Sequence, residues 1–482
     1  MVSKKNKETF IILIAFIGLI VSYNVQIISG ISQEANFTLG VFICTLLLWL
    51  FVGFDWPSLL CIGCIGLIPS IGLKDALATS FGSSSFVFLL FTFLCTYALT
   101  QTSFISRVSR WFLSMKLSKK SPLSLAVALF SSVLVLGCFI SPSVLFFTMY
   151  PILKNIYTML GLKKGDAFAS MLLIGVVGSV SLASGMTPIS HAFPVAALSL
   201  YETLTGTVIN YVGYMLFAIP TGIIIFIVMI IILNFVYKPR NIQLDAFNEN
   251  EVFSDSSNKL DIREKLTISI FFFVVLLWIL PSILDPIIPE ISIHLSKLGT
   301  ALPPIFGCVL MCVIKIDHQP LLNLKKGMAE GISWNTLFMS ASANCLAVAL
   351  INDSIGIPDF LRENVIPDLT LISPILIIVI FVIWGSIQSN ITAHLLTAQL
   401  ITSVAIQLLN GHETIYLAAV VAIIAFVSSL GFAFPSSMPY VAEAHGSGWL
   451  IKKDLLYVGI IISIVSMIMS ILIAYPLALY TV

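Results

Sequence analysis

Two stretches answer each other across this chain: Gly137-Cys138-Phe139-Ile140-Ser141-Pro142-Ser143-Val144 and Gly385-Ser386-Ile387-Gln388-Ser389-Asn390-Ile391-Thr392. Each is a knot of hydroxyls and amides inside an apolar run, 122–158 in the first case and 371–410 in the second. Both runs far exceed the roughly 20 residues of one membrane crossing, so they read as hairpins that enter the membrane and turn back. Broken, polar backbone at membrane depth survives only when buried in protein or lining a water-filled cavity. Two such tips meeting near the midplane would form a transporter's binding site.

Apolar residues make up 58% of the 482 and charged residues only 10%, against about 25% charged in soluble domains. The chain is therefore an all-α polytopic membrane protein, with the lipid bilayer as its surroundings and no nucleic-acid partner expected. Apolar runs at 10–28, 37–54, 58–72, 83–102, 167–198, 211–236, 267–284, 299–315, 334–351, 414–444 and 455–480 predict about 11 transmembrane helices besides the two hairpins. The first run follows Lys4, Lys5 and Lys7 but lacks a small-residue cleavage site, and more spans follow at once. It reads as a retained helix. All eight cysteines lie in apolar runs. Cys61 and Cys64 have a metal-like spacing with no second pair nearby, so they read as core fillers, and no metal site or cofactor is expected beyond sodium.

Threading both long runs as hairpins places 21 of the 24 basic residues on one side, leaving only Lys74, Lys297 and Arg362 on the other. By the positive-inside rule this puts the N-terminus in the cytoplasm and the C-terminus outside the cell membrane. Two full crossings over 122–158 would keep the same parity, with Ser-Pro-Ser at the far surface.

The polar tract 241–265 reads as a cytoplasmic linker between two halves. It follows an N-terminal helix (1–36) and a first repeat (37–240), with hairpin 122–158 and broken helix 167–198. The second repeat (266–482) has hairpin 371–410 and broken helix 414–444. Ala98-Leu-Thr-Gln-Thr-Ser103 precedes the first hairpin as Ala349-Leu-Ile-Asn-Asp-Ser354 precedes the second. After each hairpin comes a span with a soft middle, Gly178 to Pro188 and Ser428 to Pro439, where Gly and Pro interrupt helical hydrogen bonding. One hairpin starts inside and the other outside, so the repeats are inverted, a common transporter construction.

The candidate substrate-binding groups are Ser141, Ser143, Ser389, Asn390 and Thr392 at the tips, with Ser184, Thr187, Ser436 and Ser437 (and Ser181) in the broken spans. Helix N-termini at the breaks present free N–H groups to an anion. Hydroxyls and carbonyls there, at Ser141, Gly185, Ser389, Asn390 and Pro435, would hold a small hard cation. Scattered Ser and Thr often only satisfy helix backbone or pack helices, but four knots in mirrored positions favour a site. No Lys or Arg lies near either tip, so an anion would rely on amide dipoles, hydroxyls and a co-bound cation. Ionisable groups inside spans default to functional candidates, here His191, His394 and Glu443 for proton coupling, with His445 near the interface. His294, His318 and His412 fall in loops.

At these residues the chain resembles the divalent anion:sodium symporter family of the ion transporter superfamily, over nearly its full length. The family's Ser-Asn-Thr tips resemble Ser141-Pro142-Ser143 and Ser389-Asn390-Ile391, and its Thr- and Pro-rich turns resemble Thr187-Pro188 and Pro435-Ser-Ser-Met-Pro439. Gly446 to Asp454 and Val458-Gly459 match its tail. The resemblance implies a homodimer with a fixed scaffold and a mobile transport domain working as an elevator. It also implies a di- or tricarboxylate or sulfate as cargo, with sodium at both tips. The chain departs from the family at Pro142, where the family has Asn, and at Ile391, where it has Thr. The family's Pro-Pro-Asn turns stand here as Phe193-Pro194 and Pro439-Tyr440-Val441. The reading is thus a non-enzymatic secondary transporter of a small anion coupled to sodium, protons or counter-substrate. Alternatives are a permease for sulfate or another inorganic anion, a non-transporting scaffold or channel, and an intramembrane hydrolase. The hydrolase would need a nucleophile–base pair, for which Ser184 and His191 are the obvious neighbours.

Overall fold

A computed structural model describes residues 4–482 apart from 29, 190, 240–243, 245–246, 248–251, 254–259, 365–372, 410–414 and 452. Most of the expected linker lies outside the described residues, as does His412. The protein is a helical polytopic membrane protein. Six helices open it: α1 (Lys4–Asn24), α2 (Gln33–Phe51), α3 (Trp56–Gly66), α4 (Gly72–Ser80), α5 (Ser84–Thr100) and α6 (Phe104–Ser114). The first hairpin is α7 (Pro122–Gly137) and α8 (Pro142–Met159), and the first broken span is α9 (Ala167–Met186) and α10 (Ala192–Thr205), followed by α11 (Tyr211–Tyr237).

The second half holds α12 (Ile262–Leu284), α13 (Pro289–Lys297) and α14 (Leu302–Val313), then a two-stranded ribbon, β1 (Lys315–Ile316) and β2 (Gln319–Pro320), with Lys315 opposite Pro320. Asp317 and His318 turn the ribbon with positive φ, as a two-residue hairpin requires. Next come α15 (Trp334–Ile351), α16 (Ile357–Asn364), the second hairpin α17 (Pro374–Ile391) and α18 (His394–Leu409), and the second broken span α19 (Leu417–Val427) and α20 (Pro439–Gly446). The chain closes with α21 (Asp454–Met469) and α22 (Tyr475–Thr481), joined by a π turn at Ser470–Ala474. A short helix, α6 or α16, stands before each hairpin.

Among the described residues, eight helices are long and apolar enough to cross a membrane, or ten if each bent pair is one span: α4 with α5 bent by 40°, α13 with α14 by 70°. The difference from eleven has a local cause. Helix α3 has only 11 residues and so has α19, the longer piece of the second broken span, while one of the eight, α17, is a hairpin arm.

Both hairpins open on Ser-Pro. Ser121 accepts from Ser124 N in a capping box before Pro122, and Ser373 accepts from Leu376 N before Pro374. A hydroxyl at the N-cap satisfies one orphan donor, and Pro at N1 lacks an N–H that would have been orphaned anyway. Only the proline half of this logic holds at Ser141-Pro142, where Pro142 opens α8 without a hydroxyl cap, so the Pro that departs from the family pattern is a good first helical residue.

Hydrogen bonds between loops sort them into two ends. At one end Arg107 Nη2 lies 3.6 Å from Glu264, Arg110 donates to Phe253 O at 3.2 Å, and Asn155 donates to Val252 O at 3.3 Å. Arg263 reaches the carbonyls of Gln319, Pro320 and Leu321, and Ser170 and Tyr237 both donate to Asp454. At the other end Ser32 donates to Ile355 O, Asn210 Nδ2 to Ser282 Oγ, and Tyr416 to Val482 O. The first set carries the basic clusters.

The apolar core falls into two clusters. The larger joins α5–α15 with both hairpins, both broken spans and the final helices, and the smaller joins α1–α4 with α15 and the turn before α16. Helix α15 serves both: Leu337, Met339 and Ala343 enter the larger cluster, and Ala341, Cys345 and Leu350 the smaller.

Candidate functional site

Where a helix ends inside a membrane protein its last carbonyls must find donors. The first hairpin solves this with side chains from the first break. Thr187 Oγ1 donates to Cys138 O at 2.7 Å and His191 Nε2 to Gly137 O at 2.6 Å, both at the C-terminus of α7. Thr187 itself is extended, with φ −137° and ψ 144°, because Pro188 follows and bars the helical conformation. Gly137 is required here: a Cβ would overlap that of Ala183 on α9.

Ser141 and Ser143 at the tip are half-buried, and neither hydroxyl makes a hydrogen bond within the described residues; Ser141 caps nothing with its hydroxyl. Ser184 donates to Ser181 O at 2.7 Å and approaches Ser429 O at 3.5 Å, while Ser181 Oγ lies 2.6 Å from the Tyr440 hydroxyl. Those two serines therefore tie the first broken span to the second. The Gly185 carbonyl accepts from Tyr214 at 2.6 Å. Ser184 and His191 do not pair, each being engaged by a backbone carbonyl; the nucleophile–base pair of a hydrolase is absent there.

In the second half Asn390 is the hub. Its Nδ2 donates to Ser386 O at 2.8 Å and to Ser463 Oγ at 3.0 Å, and its Oδ1 accepts from Ala433 N at 3.0 Å. One side chain thus joins the hairpin tip, α21 and the second break. Ser389 donates back to Ser386 O at 3.1 Å, and Thr392 donates to Gln388 O at 3.1 Å beside Thr397. His394 Nε2 donates to Gly431 O at 2.6 Å. Ser437 is buried and bonds Phe434 O, whereas Pro435 and Ser436 are exposed, as is Glu443.

The structure therefore gathers Ser141, Ser143, Thr187 and His191 at one half-site and Ser389, Asn390, Thr392 and His394 at the other. Ser181 and Ser184 link the two spans. Pro435, Ser436 and Glu443 stand apart. The halves also meet through rings: Phe193, just after the first break, packs edge-on to His394 with centroids 5.1 Å apart. Sequence reasoning missed Ser463, Tyr214, Tyr440 and Gly431 as partners, and placed His445 at the interface although its Nε2 reaches Ala433 O in the break at 3.0 Å. The single glycine of the second soft stretch was a signal for Gly431; the others carry none. Two cavities lie elsewhere. One of about 470 Å³ includes Trp278, Thr300 and Phe306 in its wall, and one of about 260 Å³ includes Gln101, Arg263 and Asn323.

Known proteins agree with this architecture. The chain is similar to the sodium-dependent dicarboxylate transporter SdcS of Staphylococcus saprophyticus, 21% identical over 317 residues, which are 64% of this chain and 58% of that protein. It thus spans little more than half the length of that relative. In fold it is similar to MtrF of Neisseria gonorrhoeae, one of a class of antimetabolite efflux pumps, with a TM-score of 0.51 at 12% identity over 97% of this chain and 94% of that one. The model of the sodium:sulfate symporter transmembrane region matches residues 4–480. A match over almost all of its length means that this chain belongs to the sodium:sulfate symporter family, which is also the divalent anion:sodium symporter family.

Proposed function

We propose that the protein is a secondary active transporter of a small anion, with a di- or tricarboxylate as cargo, coupled to sodium, protons or counter-substrate. The observation that carries this is the mirrored pair of half-sites, each a hairpin tip held to a broken span inside a closed core. Four helices, α8, α10, α18 and α20, begin at these breaks, and free N–H groups in a first turn favour an anion. The unengaged hydroxyls of Ser141 and Ser143 add donors and oxygens at the first tip. A relative named for sodium-dependent dicarboxylate transport supports carboxylates, and the family description favours the second reading, sulfate. Sodium is cargo in this scheme, with Ser141, Gly185, Ser389 and Asn390 as its candidate ligands. We further propose a homodimer in which the hairpins and broken spans move as an elevator against a scaffold. Family and relative are transporters, so no enzymatic activity is proposed.

Purified protein in liposomes, given radiolabelled succinate or sulfate with and without an inward sodium gradient, tests the reading. Succinate uptake competed by other dicarboxylates is the expected result. Uptake of sulfate alone would favour the second reading, and uptake of neither by folded protein would sink the first.

A further inference from the structure

His191 and His394 occupy corresponding places with exchanged roles. His191 is the N-cap residue of α10, on the first broken span, and it holds a carbonyl of the first hairpin; His394 is the first residue of α18, on the second hairpin, and it holds a carbonyl of the second break. Both bonds are 2.6 Å and both rings are fully buried. Both accepting carbonyls belong to glycines at contacts too close for a Cβ, Gly137 against the Ala183 side chain and Gly431 against the backbone of Ser389 and Asn390. A carbonyl only accepts, so in each ring Nε2 carries the hydrogen. Nδ1 has no partner in either ring among the described residues. Among the described residues the hydrogen bonding of each ring is therefore that single bond.

We infer that His191 and His394 are paired positioning residues, latches that hold each hairpin at the spacing its half-site needs to grip a ligand. This rests on the transporter reading above. The glycine contacts bring hairpin and break together, and the latch sets how the tip sits against the break. Phe193 against the His394 ring couples the latch of one half to the segment that begins with the other.

Glutamine carries its amide nitrogen as many bonds from Cα as Nε2 of histidine, whereas asparagine carries it where Nδ1 stands. Full-length H191Q, H191N, H394Q and H394N should therefore separate in liposomes supplied with radiolabelled succinate. The Gln variants should keep the wild-type KM. The Asn variants should raise KM by roughly three- to tenfold, the weight of one net hydrogen bond, with a smaller change in maximal rate. Amide hydrogen exchange should quicken near residues 137–145 in H191N and near 429–433 in H394N, and in neither Gln variant. Equal behaviour of Gln and Asn variants in both measurements would overturn the latch. So would a Gln variant that keeps its exchange protection but loses a response of uptake to a pH gradient, because the ring would then carry a proton. Wild-type protein that takes up no succinate would defeat the carboxylate reading alone, and the exchange pattern would still decide the latch.

Discussion

Gly431 has no Cβ, and a Cβ built there would overlap the carbonyl of Ser389 and the amide nitrogen of Asn390. Those are backbone atoms and cannot swing aside, so Gly431→Ala must push the second hairpin off the break. Overpacking of this kind costs about 1–3 kcal/mol, and a lowered thermal midpoint together with lost uptake is the expected outcome. Asn390 presents a different case. Its amide serves three partners, so Asn390→Ala leaves the Ala433 N–H and the Ser463 hydroxyl without it in a buried setting. That should cost about 1–3 kcal/mol of stability as well as uptake. Ser141→Ala, at a half-exposed hydroxyl without a described partner, should shift stability by less than about 0.5 kcal/mol while raising KM for the anion. Equal loss of stability in the Ser141 and Asn390 variants would contradict this division between holding the site and facing the ligand.

Among the elements, the hairpins decide the threading. We expect the capped Ser121-Pro122 and Ser373-Pro374 starts and the polar tips to make each pair of arms a unit that returns to its own side. On a cysteine-free background, Ser121→Cys and Lys164→Cys should both react with an impermeant maleimide from the cytoplasmic side, and Ser373→Cys and Tyr416→Cys both from outside. Labelling of either pair from opposite sides would end the hairpin topology. The break inside each long apolar run was legible in the chain itself. An apolar run too long for one crossing with a polar knot in its middle has few solutions in a bilayer, and basic residues at both ends of 122–158 fix its parity. The apolar run predicts a second hairpin from 371, whereas its first described helix starts at Pro374 behind the Ser373 cap. Less legible was the size of each break: 187–191 in the first span and 428–438 in the second. Gly and Pro content marks where a helix weakens, while the length of extended chain depends on what packs into the gap.

For the whole molecule, the two halves differ in how much oxygen they can offer a cation. Pro142 brings no side-chain oxygen to the first tip, and Ile391 brings none to the second. Asn390 Oδ1 is already engaged by Ala433 N. Uptake should accordingly show a sodium Hill coefficient near one, or no sodium dependence with stimulation by internal substrate or a pH gradient. A steep sodium dependence, with a Hill coefficient of two or more and no response to pH, would show that both tips bind the ion despite these residues.

Composition by itself determined that this is a polytopic helical membrane protein, and the polar knots and the Gly- and Pro-containing stretches marked where its long apolar runs break. They could do so because lipid forces every backbone group to be satisfied within its own segment unless the segment is buried in protein, and that constraint is local. Which groups complete the interrupted ends was decided only in three dimensions. Ser181 meets Tyr440 across 259 residues, Asn390 meets Ser463 across 73, and each histidine finds a glycine carbonyl on another element. An orphan carbonyl accepts from any donor that packing brings within reach, so no spacing along the chain encodes the partner; the close approaches at Gly137 and Gly431 select it.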